Sequence, residues 1–438
     1  MKFKWLAALA IIVVIILVVG YLSGFFGQNF NIGLINHKPV VAITYPTDGA
    51  TVSNLVMVSG TAGDPDTNDV VLKVEVRIAE GTWVLAQGTT LWSYDWTTYS
   101  YSDGSYTLSA RSWDGELYSN VKTIAVTLHN PTPVESGSHK WAVFIAAANF
   151  PSNNSSKLGN GGLFLAENMA SYFIDHRDFS TSNTFILFDD GWFRSDNGYG
   201  KKLETLQQRP HKYDVTYGGA TKTNVIVSLG HVINESNQFA DSEVFIWIFD
   251  HGYGNLNSLF GGKLFQHSII FLWNNTLSDK ELGGLLNPLK SKKVTILIDA
   301  CYAGGFADRS MFNLRTSLFL RSGIPRSGRI VISSTSKFKP GYASTTQGPL
   351  FSYLWFQGIT SGDADGFRPG LFNLGTPKRL KIFKNGIVSV EEAFYYATYT
   401  LRTDATLKNY SAMHPQINDE YPRQGFFGFF LNNGQLIL

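Results

Sequence analysis

Cysteine is all but missing from this chain: Cys301 is the single thiol among 438 residues. A secreted fold stapled by disulfides needs an even set, so cores rather than cross-links must hold this one together. Charge is scarce as well. Asp, Glu, Lys and Arg make up 16%, and the formal balance of +2 comes with no run of basic residues, which excludes a nucleic-acid partner. Low charge beside 44% hydrophobic residues excludes a disordered chain. The histidines lack metal-ligand spacing, so no catalytic metal is expected. Aromatic residues are abundant at 14%, including 20 Tyr and 10 Trp, a composition that leans towards β-rich extracellular material. The length points to about two or three domains.

Lys2 and Lys4 precede residues 5–22, an uncharged apolar run, and the next charged residue is Lys38. At 1.5 Å per residue this run spans about 27 Å, close to the hydrocarbon core of a bilayer. Positive residues belong on the cytoplasmic side, so the chain beyond Leu22 is expected outside. A cleaved signal peptide is the rival reading. The run is longer than a signal h-region, and its exit, Gly20-Tyr21-Leu22-Ser23-Gly24-Phe25-Phe26, is a poor cleavage site. Residues 1–26 are therefore read as a cytoplasmic tip and transmembrane signal anchor. The expected location is the cell membrane, single-pass, with the rest of the chain extracytoplasmic. Asn-x-Ser/Thr triplets at Asn153, Asn154, Asn234, Asn274 and Asn409 agree with an exposed outer surface.

From 38 to 130 the pattern is one of short alternating strands, at 40–44, 55–60, 70–78, 82–87, 92–97, 105–113 and 121–128. Turns at Pro46-Thr47-Asp48-Gly49, Asp103-Gly104 and Asp114-Gly115 separate them. This reads as a β-sandwich. The stretch Asp103-Gly104-Ser105-Tyr106-Thr107-Leu108-Ser109-Ala110-Arg111 resembles the Ig-like modules of microbial surface proteins, without the cysteine pair of antibody domains. Such a module implies a stalk or a docking surface for a surface partner. Asp64, Asp66 and Asp69 crowd one loop, read as a solvated turn ahead of a calcium site.

A Pro/Ser/Gly linker, 130–138, is followed by a different pattern. Apolar runs at 141–147, 184–188, 244–249, 294–298 and 329–333 alternate with helical periodicity at 163–174, 224–234, 279–286 and 350–357. Continuous Val/Ile-rich strands separated by helices predict an α/β fold over 139–438, a mostly parallel sheet with helices on both faces. Ligands bind such sheets beyond the carboxyl ends of the strands. Two of those ends are reactive. One strand runs into Asp250-His251-Gly252, the other into Asp299-Ala300-Cys301. A thiol needs a neighbouring base to supply thiolate near neutral pH, and an imidazole on the next strand end is one. Gly252 lets the backbone approach, so its N–H and that of Cys301 are candidate oxyanion donors, each worth about 3 kcal/mol of barrier.

A hydrophobic strand into His-Gly followed by a hydrophobic strand into Ala-Cys resembles the legumain, caspase, metacaspase and gingipain superfamily of cysteine peptidases. The resemblance to legumain-like enzymes extends to Trp141–Asn149 as the first catalytic strand with its terminal Asn, to Phe185-Ile186-Leu187-Phe188-Asp189-Asp190, and to 217–224, in consistent order over 140–335. It implies a caspase-like sheet and an endopeptidase that attacks protein substrates through Cys301, with His251 as base. It further implies that Asn149 orients the His251 ring, and that Asp299 and Ser334 line the pocket for the residue before the scissile bond. An acidic floor there favours Arg or Lys, or Asn through its amide. One departure stands out. Legumains carry an Arg-His pair soon after the Asn of the first strand, whereas Phe150-Pro151-Ser152-Asn153-Asn154-Ser155-Ser156-Lys157 holds neither.

Asp363-Ala364-Asp365-Gly366 resembles an Asp-rich loop that in relatives runs into a helix and suggests calcium. Here 367–385 intervenes, so Asp363 and Asp365 are weak calcium candidates and no cofactor is expected. His414-Pro415-Gln416 reads as a structural turn. Two alternatives stay open: a transpeptidase, as in the GPI transamidase catalytic subunit and ligating legumains, and an inactive surface-binding protein.

Overall fold

The computed structural model describes residues 36–67, 69–132, 137–150, 157–254, 267–308, 322–369, 376–422 and 435–438. The expected anchor, 1–26, lies outside them, and no helix among the described residues is long and apolar enough to cross a membrane.

The N-terminal part is a β-sandwich of β1 (Val40–Tyr45), β2 (Thr51–Val52), β3 (Leu55–Gly63), β4 (Lys73–Ile78), β5 (Val84–Leu85), β6 (Leu91–Thr97), β7 (Gly104–Trp113) and β8 (Lys122–Leu128). One sheet runs β1-β3-β6, the other β2-β8-β7-β4-β5. β8 shows why the sequence alternates: Ile124, Val126 and Leu128 point inwards and the residues between face water. Val58, Val74, Trp92, Trp96 and Leu108 fill the space between the sheets. Two expected strands are shorter than read. The run from 70 pairs only from Lys73, and 82–87 shrinks to β5.

Beyond the linker the elements are β9 (Lys140–Ala146), α1 (Gly161–His176), β10 (Thr184–Phe188), β11 (Thr216–Gly218), α2 (Lys222–Ser236), β12 (Glu243–Phe249), β13 (Gly252–Tyr253), β14 (Ile269–Leu272), β15 (Asn275–Ser278) and α3 (Asp279–Leu285). There follow β16 (Lys293–Asp299), β17 (Arg329–Ser333), α4 (Leu350–Ser361), α5 (Val390–Thr403) and β18 (Gln416–Asp419). The main sheet is ordered β11-β10-β9-β12-β16-β17-β18, parallel except for β18. β9 is buried along almost its whole length because both faces are covered. Ala142, Phe144 and Ala146 pack with α1, α4 and α5, while Trp141, Val143 and Ile145 pack with α2 and α3. Side-chain oxygens fix the helix starts: Thr221 accepts from Asn224 N–H, and Ser278/Glu281 and Ser389/Glu392 form capping boxes. The chain builds outwards from β9 to β11, then crosses to β12. The strand order therefore reverses between β9 and β12, where such sheets bind their ligands.

The sandwich is packed on this sheet rather than tethered beside it. Leu55 of β3 belongs to the hydrophobic cluster of the α/β part. Asn224 Nδ2 donates to Asp95 Oδ2 at 2.8 Å, Asn54 Nδ2 to Thr216 Oγ1 at 3.0 Å, and Trp192 Nε1 to Ser93 Oγ at 3.3 Å. Tyr99 stacks on His231 with ring centres 4.1 Å apart. Burial raises the Asp95 pKa to about 6 and lowers that of His231 to about 4.

Candidate active site

Register places the two reactive residues. Phe249 of β12 pairs with Asp299 of β16 in a parallel ladder, and His251 and Cys301 each lie two residues beyond that pair. They therefore leave neighbouring strands side by side at the carboxyl edge. Gly252 continues the approach. A Cβ there would lie 2.2 Å from the Cys301 carbonyl oxygen, so only glycine fits. The His251 carbonyl is fixed in turn by the Phe271 N–H at 3.0 Å.

Backbone amides surround the thiol. Gly341 N–H donates to Sγ at 3.2 Å, and the amides of Gly252 and Cys301 itself also lie close enough to favour a negative sulfur. Burial outweighs them and, with the Asp299 charge, pushes the Cys301 pKa up. In this arrangement the sulfur keeps its proton until a base takes it. Sequence reasoning had no signal for Gly341, which arrives from the loop after β17, where Tyr302 N–H also bonds Lys339 O at 2.9 Å. The turn after Cys301 is held from below: Ser268 Oγ donates to Tyr302 O at 2.6 Å and accepts from Gly305 N–H at 2.9 Å.

Asn149, Asp299 and Ser334 are buried. The Asn149 side chain donates to Asp189 Oδ2 at 2.6 Å and accepts from Gly159 N–H at 3.1 Å, while Arg194 bridges Asp189 and Asp190. Asp299, 2% exposed, accepts from Ser352 N–H at 2.9 Å and Ser352 Oγ at 2.8 Å. It thus caps the first turn of α4. Burial raises its pKa to about 6 against the pull of Ser334 and Ser352. Ser334 is fully buried near that carboxyl, although its hydroxyl makes no hydrogen bond of normal geometry. Asp250, which the sequence did not single out, accepts from the His251 N–H at 2.5 Å, and burial holds its pKa well above the usual range.

The Asp363/Asp365 loop is closed by protein donors. Asp365 accepts from the N–H groups of Asn385 and Gly386, both at 3.1 Å, and Glu392 pairs with Arg368 at 2.7 Å. Among the described residues, Asp64, Asp69 and Asp114 are the acids, histidines or cysteine close enough to share a metal ion, and they lie in the sandwich. Segments 255–266 and 309–321, which come after the His251 and Cys301 turns, are outside the described residues.

The chain thus carries a histidine and a cysteine on adjacent strand ends of a mostly parallel α/β sheet, preceded by an Ig-like sandwich. Comparison with known proteins supports the second part by sequence: residues 39–110 match the bacterial Ig domain family. No match was found among curated protein sequences. Among solved structures, an endo-β-1,4-mannanase from Thermotoga petrophila aligns at 19% identity and TM-score 0.19, over 23% of this chain and 22% of that one. The chain thus spans about a fifth of the mannanase it matches. The PKD1 domain of Vibrio anguillarum Epp aligns at 19% identity and TM-score 0.17, over 22% of this chain and 99% of that one. Caspase-1 from Spodoptera frugiperda aligns at 12% identity and TM-score 0.33, over 64% of this chain and 86% of that one.

Proposed function

We propose that the chain is a cysteine endopeptidase of the legumain/caspase-like kind, with Cys301 as nucleophile and His251 as general base. The observation that carries this reading is the Phe249–Asp299 pairing, which sets the two residues side by side with the Gly252 and Cys301 amides around the sulfur. His251 takes the proton from Sγ, and the thiolate attacks the scissile carbonyl while those amides receive the oxyanion. The C–N bond then breaks, the leaving amine takes the proton from His251, and a water deprotonated by the same ring hydrolyses the thioester. No step needs a metal or a redox partner.

The proposal includes a preference for Arg, Lys or Asn before the scissile bond, which rests on the resemblance of the motifs. The burial of Asp299 against Ser352 does not support it, because so enclosed a carboxyl meets a substrate only if the loop at Gly341 or the start of α4 moves. Asn149, braced by Asp189, acts in this reading by fixing the end of β9. The organisation proposed is an anchor at 1–26, an Ig-like sandwich at 38–130 and the peptidase at 139–438, held outside the cell membrane.

The test is turnover of peptides with Arg, Lys, Asn or Asp before the scissile bond, by the full chain in detergent, beside Cys301→Ala. Cleavage lost on that substitution supports the proposal. Silence with every peptide, together with no adduct between Cys301 and an acylating probe, would replace it with the surface-binding reading. Product analysis with an added amine acceptor separates hydrolysis from transpeptidation.

A further inference from the structure

The sandwich carries a cluster that the proposed peptidase does not use. Asp64 and Asp69 stand in the loop after β3, and Asp114 in the turn after β7. One carboxylate oxygen from each lies within 4.8 Å of the others. Proximity of acids alone would mean little on a solvated loop. The hydrogen bonding is what sets this group apart. Asp114 is 5% exposed; its Oδ1 accepts from the N–H groups of Glu116 and Leu117, both at 2.7 Å. Its Oδ2 is buried and makes no hydrogen bond of normal geometry, with the Asn36 side chain against the same carboxyl. Asp64 repeats the arrangement: Oδ1 accepts from Asp66 N–H at 2.9 Å, and Oδ2 is buried and unpartnered. Asn36, whose Nδ2 donates to Glu116 at 3.2 Å and which lies against the Asp114 carboxyl, adds a third buried unpartnered oxygen, its own Oδ1.

Buried carboxylate oxygens without donors are costly unless a cation meets them. Asp66, crowded with Asp64 and Asp69 in sequence, is not part of the group. It is turned to His37, accepting from its backbone N–H at 2.7 Å and lying 2.8 Å from Nδ1. We propose that Asp64, Asp69 and Asp114 form a calcium site, in which Asn36 is positioned to supply a fourth oxygen. An all-oxygen donor set of carboxylates and an amide carbonyl, completed by water, suits a hard divalent cation, and calcium tolerates an irregular shell where magnesium does not. The site ties three separate places in the chain: the segment entering the sandwich, the loop after β3 and the β7 turn. Binding therefore stiffens the end of the sandwich at which the N-terminal segment arrives. Modules exposed to extracellular calcium bind it with Kd of about 10⁻⁴–10⁻³ M.

Terbium offers a direct readout, because Trp113 adjoins Asp114 and an excited indole sensitises a nearby bound Tb³⁺. In the full-length protein stripped with EDTA, Tb³⁺ emission under tryptophan excitation should appear and be displaced by millimolar calcium chloride. Equal magnesium chloride should not displace it. Asp64→Asn and Asp114→Asn should each weaken calcium at least tenfold, while Asp363→Asn leaves it unchanged. Thermal unfolding supplies the second readout: calcium should raise the wild-type midpoint but not that of the two variants, and in EDTA the variants should melt at or above the wild type. No calcium effect on the wild-type midpoint and no terbium emission would overturn the proposal, whatever the variants do. So would binding that survives in folded Asp114→Asn or is lost in Asp363→Asn.

Discussion

The sheet rim and the sandwich loop both bring carboxylates out of water, and they handle the charge in opposite ways. At the rim of the parallel sheet, Asp250 and Asp299 each accept from a backbone donor, and burial, joined at Asp250 by the Asp189 charge, raises both pKa values. A lone buried carboxyl escapes its charge by keeping a proton. In the sandwich, three acids converge, and backbone amides hold Asp114 below its usual range. An acid kept ionised beside others needs a cation. The difference matters at the sheet because charge on Asp299 raises the Cys301 pKa. A protonated Asp299 leaves the thiol easier to ionise, so the nucleophile proposed at this rim is favoured when Asp299 is neutral.

The largest expected effect separates the two regions. Cys301→Ala should lower turnover by about 10⁴-fold or more while leaving calcium binding untouched, measured on one preparation; loss of both would show that they are one coupled unit. Gly252→Ala should come next. Its Cβ must displace the Cys301 carbonyl, and misplacement of about 1 Å costs about 10²-fold. Steady-state kinetics should show this in kcat more than KM. Asp299→Asn tests the proton itself. With a folded pKa of about 6, raised from the ordinary 3.8, the wild type binds its proton more tightly folded than unfolded. That stability is present below about pH 4 and lost as pH rises through about 6, a difference of about 2–3 kcal/mol. Urea unfolding at the two ends of this window should show a smaller pH slope in the Asn variant than in the wild type, the remainder coming from Asp95 and Asp250. Alkylation of Cys301 by iodoacetamide should also reach half its maximal rate at lower pH in that variant. The smallest expected effect lies at the joint: Asn224→Ala removes the donor to Asp95 and should destabilise by about 1–2 kcal/mol, seen as a lower melting midpoint.

Much of the sheet side was legible because burial on both faces writes itself as unbroken apolar runs. β9, β12 and β16 stand within a residue of their expected positions, and counting from their ends puts His251 beside Cys301. β11 was missed because three residues ending in glycine carry no period. β18 was missed because an antiparallel edge strand of Gln, Ile, Asn and Asp looks like a loop. Gly341 reaches the sulfur from a loop, and Asp299 meets Ser352 through α4; neither contact has a local sequence signature. The sandwich strands were readable from alternation. The acid cluster was misread in membership, since Asp114 joins Asp64 and Asp69 only once β4 pairs with β7, Lys73 opposite Trp113. The neighbour in sequence, Asp66, turned elsewhere.

The seam between sandwich and sheet has a mechanical consequence. Gly191, with φ of +81°, sits against β3: a Cβ there would lie 2.4 Å from the Met57 sulfur, which would have to swing aside, and Leu55 of the same strand is part of the neighbouring core. A load pulling on the sandwich is therefore handed from β3 to β10 and β11 through packed side chains and hydrogen bonds, and the rim bearing Cys301 is joined to the sandwich by that seam as well as by the linker.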